Sequence, residues 1–328
     1  MNCPSCNKSS NLQDLAWSGA YFGCHHCGKA GSNASWIAKN PSQKGTFFFK
    51  DEATEQKTGW LRKQIEAQVF ARGNFQSDNM KNAMPLNLDA NDGTAARVKI
   101  HIVRDGVDLI GRYYSPPSGQ GRKTILLLSG SGAAAVEYCR PIVEGYLRLG
   151  YSVLLVDYRG FGASSGSPTS KGTYKDSEAM WAYLTWPEVG FGRALKPDDI
   201  VVHGYSLGSG PAVHLCRKHT NPSPAGLVLH CPMASAGANA SLAFGGGVLG
   251  GAVGRLTNCY AAFNNEKKVG ALKLPTMVIT GSTDRMKAQG VKLKGLMSQA
   301  VAHEYTGGHM DQGKIFSSGD LANFLAKL

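Results

Sequence analysis

The 328-residue sequence lacks any apolar run long enough to cross a bilayer, which takes about 20 residues. The stretch from Leu242 to Gly254 is too short and too rich in glycine. No basic start leads into the apolar segment of a secretory signal, because the chain reaches Cys3 at once. Charged residues are sparse at 18%, while hydrophobic residues make up 42%, enough for a sizeable core. These features exclude an integral membrane protein, a fibrous protein and a small disulfide scaffold, and they predict a cytoplasmic chain.

A dense basic arm is missing too. Lys and Arg number 35 against 23 Asp and Glu, for a net charge of +12, but residues 1–100 hold only 12 of the basic and 8 of the acidic side chains. So diffuse an excess argues against nucleic acid as the partner. It suits an anionic substrate, a membrane surface or plain solubility.

The eight cysteines are unevenly placed. Cys3-x2-Cys6 and Cys24-x2-Cys27 stand 17 residues apart. Two tight turns that each present two thiolates complete a tetrahedron, so residues 1–35 are expected to form a zinc ribbon with Cys3, Cys6, Cys24 and Cys27 as structural ligands. His25 and His26 are read as surface residues. Cys139, Cys216, Cys231 and Cys259 have no metal spacing and are read as reduced thiols. The start CPSC followed by FGCHHCG resembles the ribbons of primases and of protein-docking modules, which implies a docking or targeting role with a protein partner. Residues 36–95 are expected to be a linker. It ends its first polar stretch at Phe47, Phe48 and Phe49, then carries an amphipathic helix over 51–72 built on Leu61, Ile65 and Val69.

From residue 96 to 328 the pattern is that of an α/β domain. Val98, Ile100 and Ile102 alternate with polar residues, and a second strand runs from Val107 to Tyr114. Continuously apolar runs follow at Thr124–Leu128, Val153–Val156, Ile200–His203, Leu227–Leu229 and Thr276–Thr280, with a last strand at Ala302–Tyr305. Helical stretches at Tyr138–Leu149, Tyr174–Leu184, Ser209–Lys218 and Ala288–Gln299 separate them. Apolar strands alternating with helices predict a mostly parallel sheet with helices on both faces, and the two antiparallel leading strands point to the alpha/beta-hydrolase fold.

Gly204-Tyr205-Ser206-Leu207-Gly208 sits between a strand and a helix, where a nucleophile elbow belongs. A serine needs a base and the base an orienting acid, in the order serine, acid, histidine. His309 in GGHMD and Asp284 in GSTD complete that order. Asp157 and Asp311 are the competing acids, while His203, His230 and His303 are read as packed or structural. The amide of Leu207 and one from Ser129-Gly130-Ser131-Gly132, with Ser131 preferred over Gly132, would form the oxyanion hole.

Asp157-Tyr158-Arg159-Gly160-Phe161-Gly162, GYSLGSGPA and the Asp284 and His309 contexts resemble alpha/beta-hydrolase domain serine hydrolases, the group of protein depalmitoylases and their bacterial relatives. The likeness covers about Arg97 to Leu328. It implies a Ser206, Asp284, His309 triad acting on an ester or thioester of a lipid or acylated protein. The family commonly opens its oxyanion loop with His-Gly, where this chain has Ser129-Gly130, and it carries no zinc ribbon. Residues 234–254 lie where this fold often inserts a lid. They read equally as an acyl-binding wall, a membrane-touching cap or a glycine-rich connection. A peptidase or amidase on the same triad is one alternative. A zinc-ribbon binding module for nucleic acid or protein, with a degenerate hydrolase scaffold, is another. Delivery into another cell as an effector also fits the sequence.

Overall fold

Short strands with no polar break form the spine of the molecule. The computed structural model describes residues 93–117, 122–131, 135–185, 195–260 and 263–328, with Phe70 and the backbone of four short strands between residues 15 and 49. Those four are β1 (Leu15–Ser18), β2 (Tyr21–Cys24), β3 (Ala30–Ser32) and β4 (Thr46–Phe49). The chain continues through β5 (Thr94–Ile102), β6 (Val107–Ser115), β7 (Thr124–Leu128), β8 (Ser152–Val156), β9 (Ile200–Tyr205), β10 (Gly226–His230), β11 (Thr276–Gly281) and β12 (Val301–Tyr305).

The strands share one sheet in the order β12-β11-β10-β9-β7-β8-β6-β5-β4-β1-β2-β3. From β8 through β7, β9, β10 and β11 to β12 every pairing is parallel, whereas β5 with β6 and β6 with β8 are antiparallel. Eight strands, β5 to β12, make the mostly parallel sheet that the sequence predicts.

Pattern explains position. β7, β8, β9, β10 and β11 are buried at every residue, as strands covered on both faces must be. β6, nearer the antiparallel end, alternates buried and half-buried residues over its first five positions. The helices are α1 (Ala135–Tyr138), α2 (Arg140–Arg148), α3 (Ser170–Thr185), α4 (Ser209–Lys218), α5 (Ala236–Ala243), α6 (Gly247–Tyr260), α7 (Lys287–Gly295) and α8 (Asp320–Leu325). Because alternate strand residues point to opposite faces, Leu126 and Leu128 join one core with Ala179 of α3 and Val213 of α4. Ile125 and Leu127 join the other with Ile142 of α2 and Leu321 of α8.

Three segments gain definition beyond the sequence reading. Thr46–Phe49, read as the end of a linker segment, is strand β4, parallel to β5 and antiparallel to β1. Of the helix expected over 51–72 only Phe70 lies within the described residues. It is fully buried in the core of the α/β domain, with its ring 6.4 Å from Phe161 and 5.8 Å from Phe263. Residues 234–254, legible only as small and glycine-rich, form a helical hairpin of α5 and α6. Ser235 caps α5 by accepting from the Ala238 amide at 3.0 Å, and positive φ at Gly245, Gly246 and Gly247 turns the chain. The glycine content that hides these helices from propensity also lets them touch, since a Cβ on Gly254 would lie 2.7 Å from the Gly237 carbonyl oxygen.

Among the described residues, no helix is long and apolar enough to cross a membrane.

Candidate active site

The three candidate residues lie just beyond the C-terminal ends of parallel strands. Ser206 follows β9, Asp284 follows β11 and His309 follows β12. Ser206 has φ of +52°, a left-handed conformation that costs a residue with a Cβ on the order of 1 kcal/mol or more and persists only where packing enforces it. The enforcement comes from its flanking glycines. A Cβ on Gly204 would lie 2.6 Å from the Cβ of Ala212, and one on Gly208 would overlap the Leu128 carbonyl. Both glycines are therefore sterically required, and the turn lifts the serine side chain off the sheet.

His309 bridges the other two side chains. Its Nε2 is 3.0 Å from Ser206 Oγ and its Nδ1 is 2.9 Å from Asp284 Oδ2. Access is graded along this row. The His309 side chain is 29% exposed while that of Asp284 is 1% exposed, so the imidazole is open to solvent and the carboxylate stays dry. Burial alone would raise the Asp284 carboxyl. Hydrogen bonds from His309, from Cys231 and from the Met286 amide (2.8 Å to Oδ1) outweigh it and hold its pKa below the ordinary value. The group thus stays ionised and acceptor-only.

The competing residues are engaged elsewhere. Asp157 accepts from the Ala135 amide at 2.7 Å, and Asp311 accepts from the Gly308 amide at 2.8 Å. His203 and His230 are fully buried, and His203 Nδ1 meets the Tyr146 hydroxyl at 2.8 Å. His303 Nδ1 pairs with Asp320 at 2.8 Å.

Leu207 is buried immediately after the serine. On the facing loop, Gly130 packs so closely that a Cβ there would lie 3.1 Å from Ser206 Cβ, and its amide donates to the Tyr138 hydroxyl at 2.7 Å. Gly130 is thus occupied by Tyr138, and Ser131 is the next residue along. Gly132 lies outside the described residues. So do Cys3, Cys6, Cys27, His25 and His26, while Cys24 is described only as backbone at the end of β2. Cys139, Cys216 and Cys231 are free thiols in buried positions, as read from the sequence.

Several contributors escaped the sequence reading. The Tyr205 hydroxyl donates to the His309 carbonyl at 2.7 Å, and the Tyr305 hydroxyl donates to the Gly308 carbonyl at 2.8 Å. Cys231, which has φ of +45° directly after β10, brings its Sγ near the Tyr305 hydroxyl (3.4 Å) as well as to Asp284. Ser209 Oγ donates to the Ser206 carbonyl at 2.6 Å. Position in the motif signals Tyr205 and Ser209. Nothing local signals Cys231 or Tyr305.

Known proteins share this architecture. Residues 123–252 match the family model described as alpha/beta hydrolase fold. A multifunctional-autoprocessing repeats-in-toxin protein of Vibrio cholerae is 37% identical over 123 residues, 37% of this chain and 2% of that protein. Human alpha/beta hydrolase domain-containing protein 17B is 31% identical over 139 residues, 42% of each. The chain thus spans less than half the length of these relatives. Among solved structures, the alpha-beta hydrolase of Vibrio vulnificus superposes with a TM-score of 0.65 at 22% identity, covering 85% of this chain and 99% of that one. A Pyrococcus furiosus esterase gives 0.54 at 21% identity over 72% and 90%. Strand order, elbow geometry and these likenesses agree, and the chain has the alpha/beta-hydrolase fold.

Proposed function

We propose that the protein is a serine hydrolase that cleaves carboxylic ester or thioester bonds through an acyl-enzyme. The observation that carries this reading is the continuous row Ser206 Oγ, His309 Nε2, His309 Nδ1, Asp284 Oδ2, with spacings of 3.0 and 2.9 Å, on a serine held at positive φ. The likeness to an esterase and to other alpha/beta hydrolases supports hydrolysis as the reaction class.

His309 would take the Ser206 proton as Oγ attacks the acyl carbonyl, and Asp284 would hold Nδ1–H and stabilise the imidazolium. The Leu207 and Ser131 amides would receive the oxyanion. His309 would return its proton to the leaving oxygen or sulfur, then remove one from a water that attacks the acyl carbon and frees Ser206. The substrate would be an acylated lipid or protein, reached in the cytoplasm.

Cys3, Cys6, Cys24 and Cys27 would hold a structural zinc that cross-links the N-terminal strands and takes no part in hydrolysis. The backbone suits this. β1 and β2 pair antiparallel with Leu15 opposite Cys24, and β2 pairs antiparallel with β3, so the second cysteine pair falls where the chain reverses. A protein partner at this ribbon is proposed on the same ground.

A fluorophosphonate probe tests the chemistry. The intact chain should label at Ser206 and turn over p-nitrophenyl esters, while Ser206→Ala should do neither and melt at the same temperature. An unlabelled Ser206 in folded protein would overturn the reading.

A further inference from the structure

The hairpin of α5 and α6 is built to be apolar where it meets solvent. Nine large hydrophobic side chains are exposed among the described residues, and five of them lie on this hairpin: Leu242 (45%), Phe244 (59%), Val248 (94%), Leu249 (69%) and Leu256 (49%). Folding ordinarily hides such groups, and a cluster of them marks a contact surface. Four of the five, Leu242, Phe244, Val248 and Leu249, flank the connecting turn. At the other end the Gly237 amide donates to Asn258 Oδ1 at 2.8 Å, and Gly237 packs on Gly254 with no room for a Cβ on either. Around the connecting turn, a Cβ added to Gly245, Gly246 or Gly247 would meet nothing within 4 Å.

The occupant follows from charge and size. No Asp or Glu occurs anywhere from residue 200 to residue 265, and the one charged side chain of the hairpin is the exposed Arg255. Arg255 stands seven residues beyond Val248, as Leu256 stands seven beyond Leu249. The two pairs form adjacent stripes on one side of α6, apolar toward the tip and cationic behind it. A dimer or stable protein complex needs about 20–30 residues a side, which this narrow tip does not supply. A bilayer asks less: a few apolar side chains to enter the headgroup region, basic groups behind them and no carboxylate to desolvate. The chain's net charge of +12 acts in the same direction.

We propose that the tip of this hairpin, through Leu242, Phe244, Val248 and Leu249 with Arg255 behind them, docks the protein on an anionic lipid bilayer. The segment that carries the hairpin is anchored beside the serine. Both ends of the inserted segment return to Ser209, whose Oγ accepts from the Met233 amide at 3.0 Å and from Asn265 Nδ2 at 3.3 Å while donating to the Ser206 carbonyl. The proposal rests on the serine-hydrolase reading only for what a docked enzyme would cleave. Attachment itself needs no turnover.

Flotation with vesicles of phosphatidylcholine and phosphatidylserine tests it, using the full chain with Ser206→Ala so that hydrolysis plays no part. The chain should float with the vesicles. Replacing Leu242, Phe244, Val248 and Leu249 together by serine should weaken binding by about tenfold or more. Arg255→Glu should weaken it several-fold on the anionic vesicles and leave binding to pure phosphatidylcholine unchanged. The melting temperature of each variant, and the ester turnover of the serine-tip replacement in a chain that keeps Ser206, report that the fold survives. Absence of flotation, or equal flotation of parent and tip variant, would overturn the proposal. So would light scattering that shows a dimer which the tip replacement turns into a monomer, since the surface would then serve a second copy. Absence of ester turnover in the chain that keeps Ser206, alongside intact flotation, would count against the serine-hydrolase reading alone.

Discussion

The hydroxyl of Tyr205 donates a 2.7 Å hydrogen bond to the carbonyl oxygen of His309, so the residue before the elbow serine grips the backbone of the loop that carries the imidazole. The Tyr205 ring also lies 5.3 Å from the His309 ring at an interplanar angle of 29°. Strand β9 thus supplies the serine and helps to position its partner. Tyr205→Phe keeps the ring and removes the tether. Its kcat should fall about tenfold with KM little changed, while stability falls by about 1 kcal/mol. Steady-state kinetics on a p-nitrophenyl ester, with a denaturant titration, checks both.

Asp284→Asn leaves shape almost intact but removes the charge that stabilises imidazolium and allows the wrong tautomer. A loss of about 10⁴-fold in kcat is expected. Fluorophosphonate labelling should slow in parallel, and thermal melting near neutral pH should show the variant folded. Activity within tenfold of the parent would place the acid elsewhere, with Asp157 and Asp311 next to examine.

Gly208→Ala drives a methyl group into the Leu128 carbonyl, which belongs to a fully buried strand and cannot give way. The elbow should distort, with loss of probe labelling and destabilisation of about 1–3 kcal/mol. Gly295→Ala, in open space at the end of α7, should be nearly neutral in the same melting assay.

The buried histidines set an acid limit on stability. Burial pushes His203 down to about 3, and it pushes His230 well below the usual histidine value with added repulsion from His203. Each stays neutral in the native state and protonates in the unfolded chain near pH 6.5. Below that pH the unfolded state binds more protons, so stability is lost as pH falls from about 6.5 toward 3. The slope is about 1.4 kcal/mol per pH unit for each of the two. The melting temperature followed from pH 8 to pH 4 should decline with a proton uptake of at least two, His219, lowered to about 4 by burial, adding to it, and His203→Phe should flatten the decline.

The buried ion pair behind the DYRGFG segment makes a last prediction. Arg159 reaches Asp176 at 2.7 Å and Asp105 at 2.7 Å, with the Asp176 side chain wholly buried. Asp176→Ala leaves the buried guanidinium with Asp105 as its remaining carboxylate and should cost about 3 kcal/mol. Replacing the charge by Asn should cost less, and a denaturant titration distinguishes the two.

The sheet and the catalytic row were legible because each depends on local pattern. An uninterrupted apolar run marked each of β7 to β11, and GYSLG between a strand and a helix marked the serine. Asp284 and His309 were found by chain order and by loops rich in glycine. The Tyr305–Gly308 and Cys231–Asp284 contacts were not legible, because β10, β11 and β12 meet only in the folded sheet. The hairpin at 236–260 was hidden for a different reason. Helices assembled from alanine and glycine carry little propensity signal, and their stability comes from a close backbone crossing that no sequence window contains. Phe47–Phe49 misled because its neighbours in the sheet, β1 and β5, are remote in sequence and nothing local marks the pairing.

Phe70 sets where the catalytic unit can be cut. It stands 24 residues ahead of β5, yet its ring fills space between Phe161, in the loop after β8, and Phe263, at the foot of the α5–α6 hairpin. A fragment that begins at β5 would leave a hole the size of a benzene ring at that junction, at a cost of about 3–5 kcal/mol. The α/β domain of this chain therefore starts before residue 70, and any transfer of that domain has to carry this phenylalanine with it.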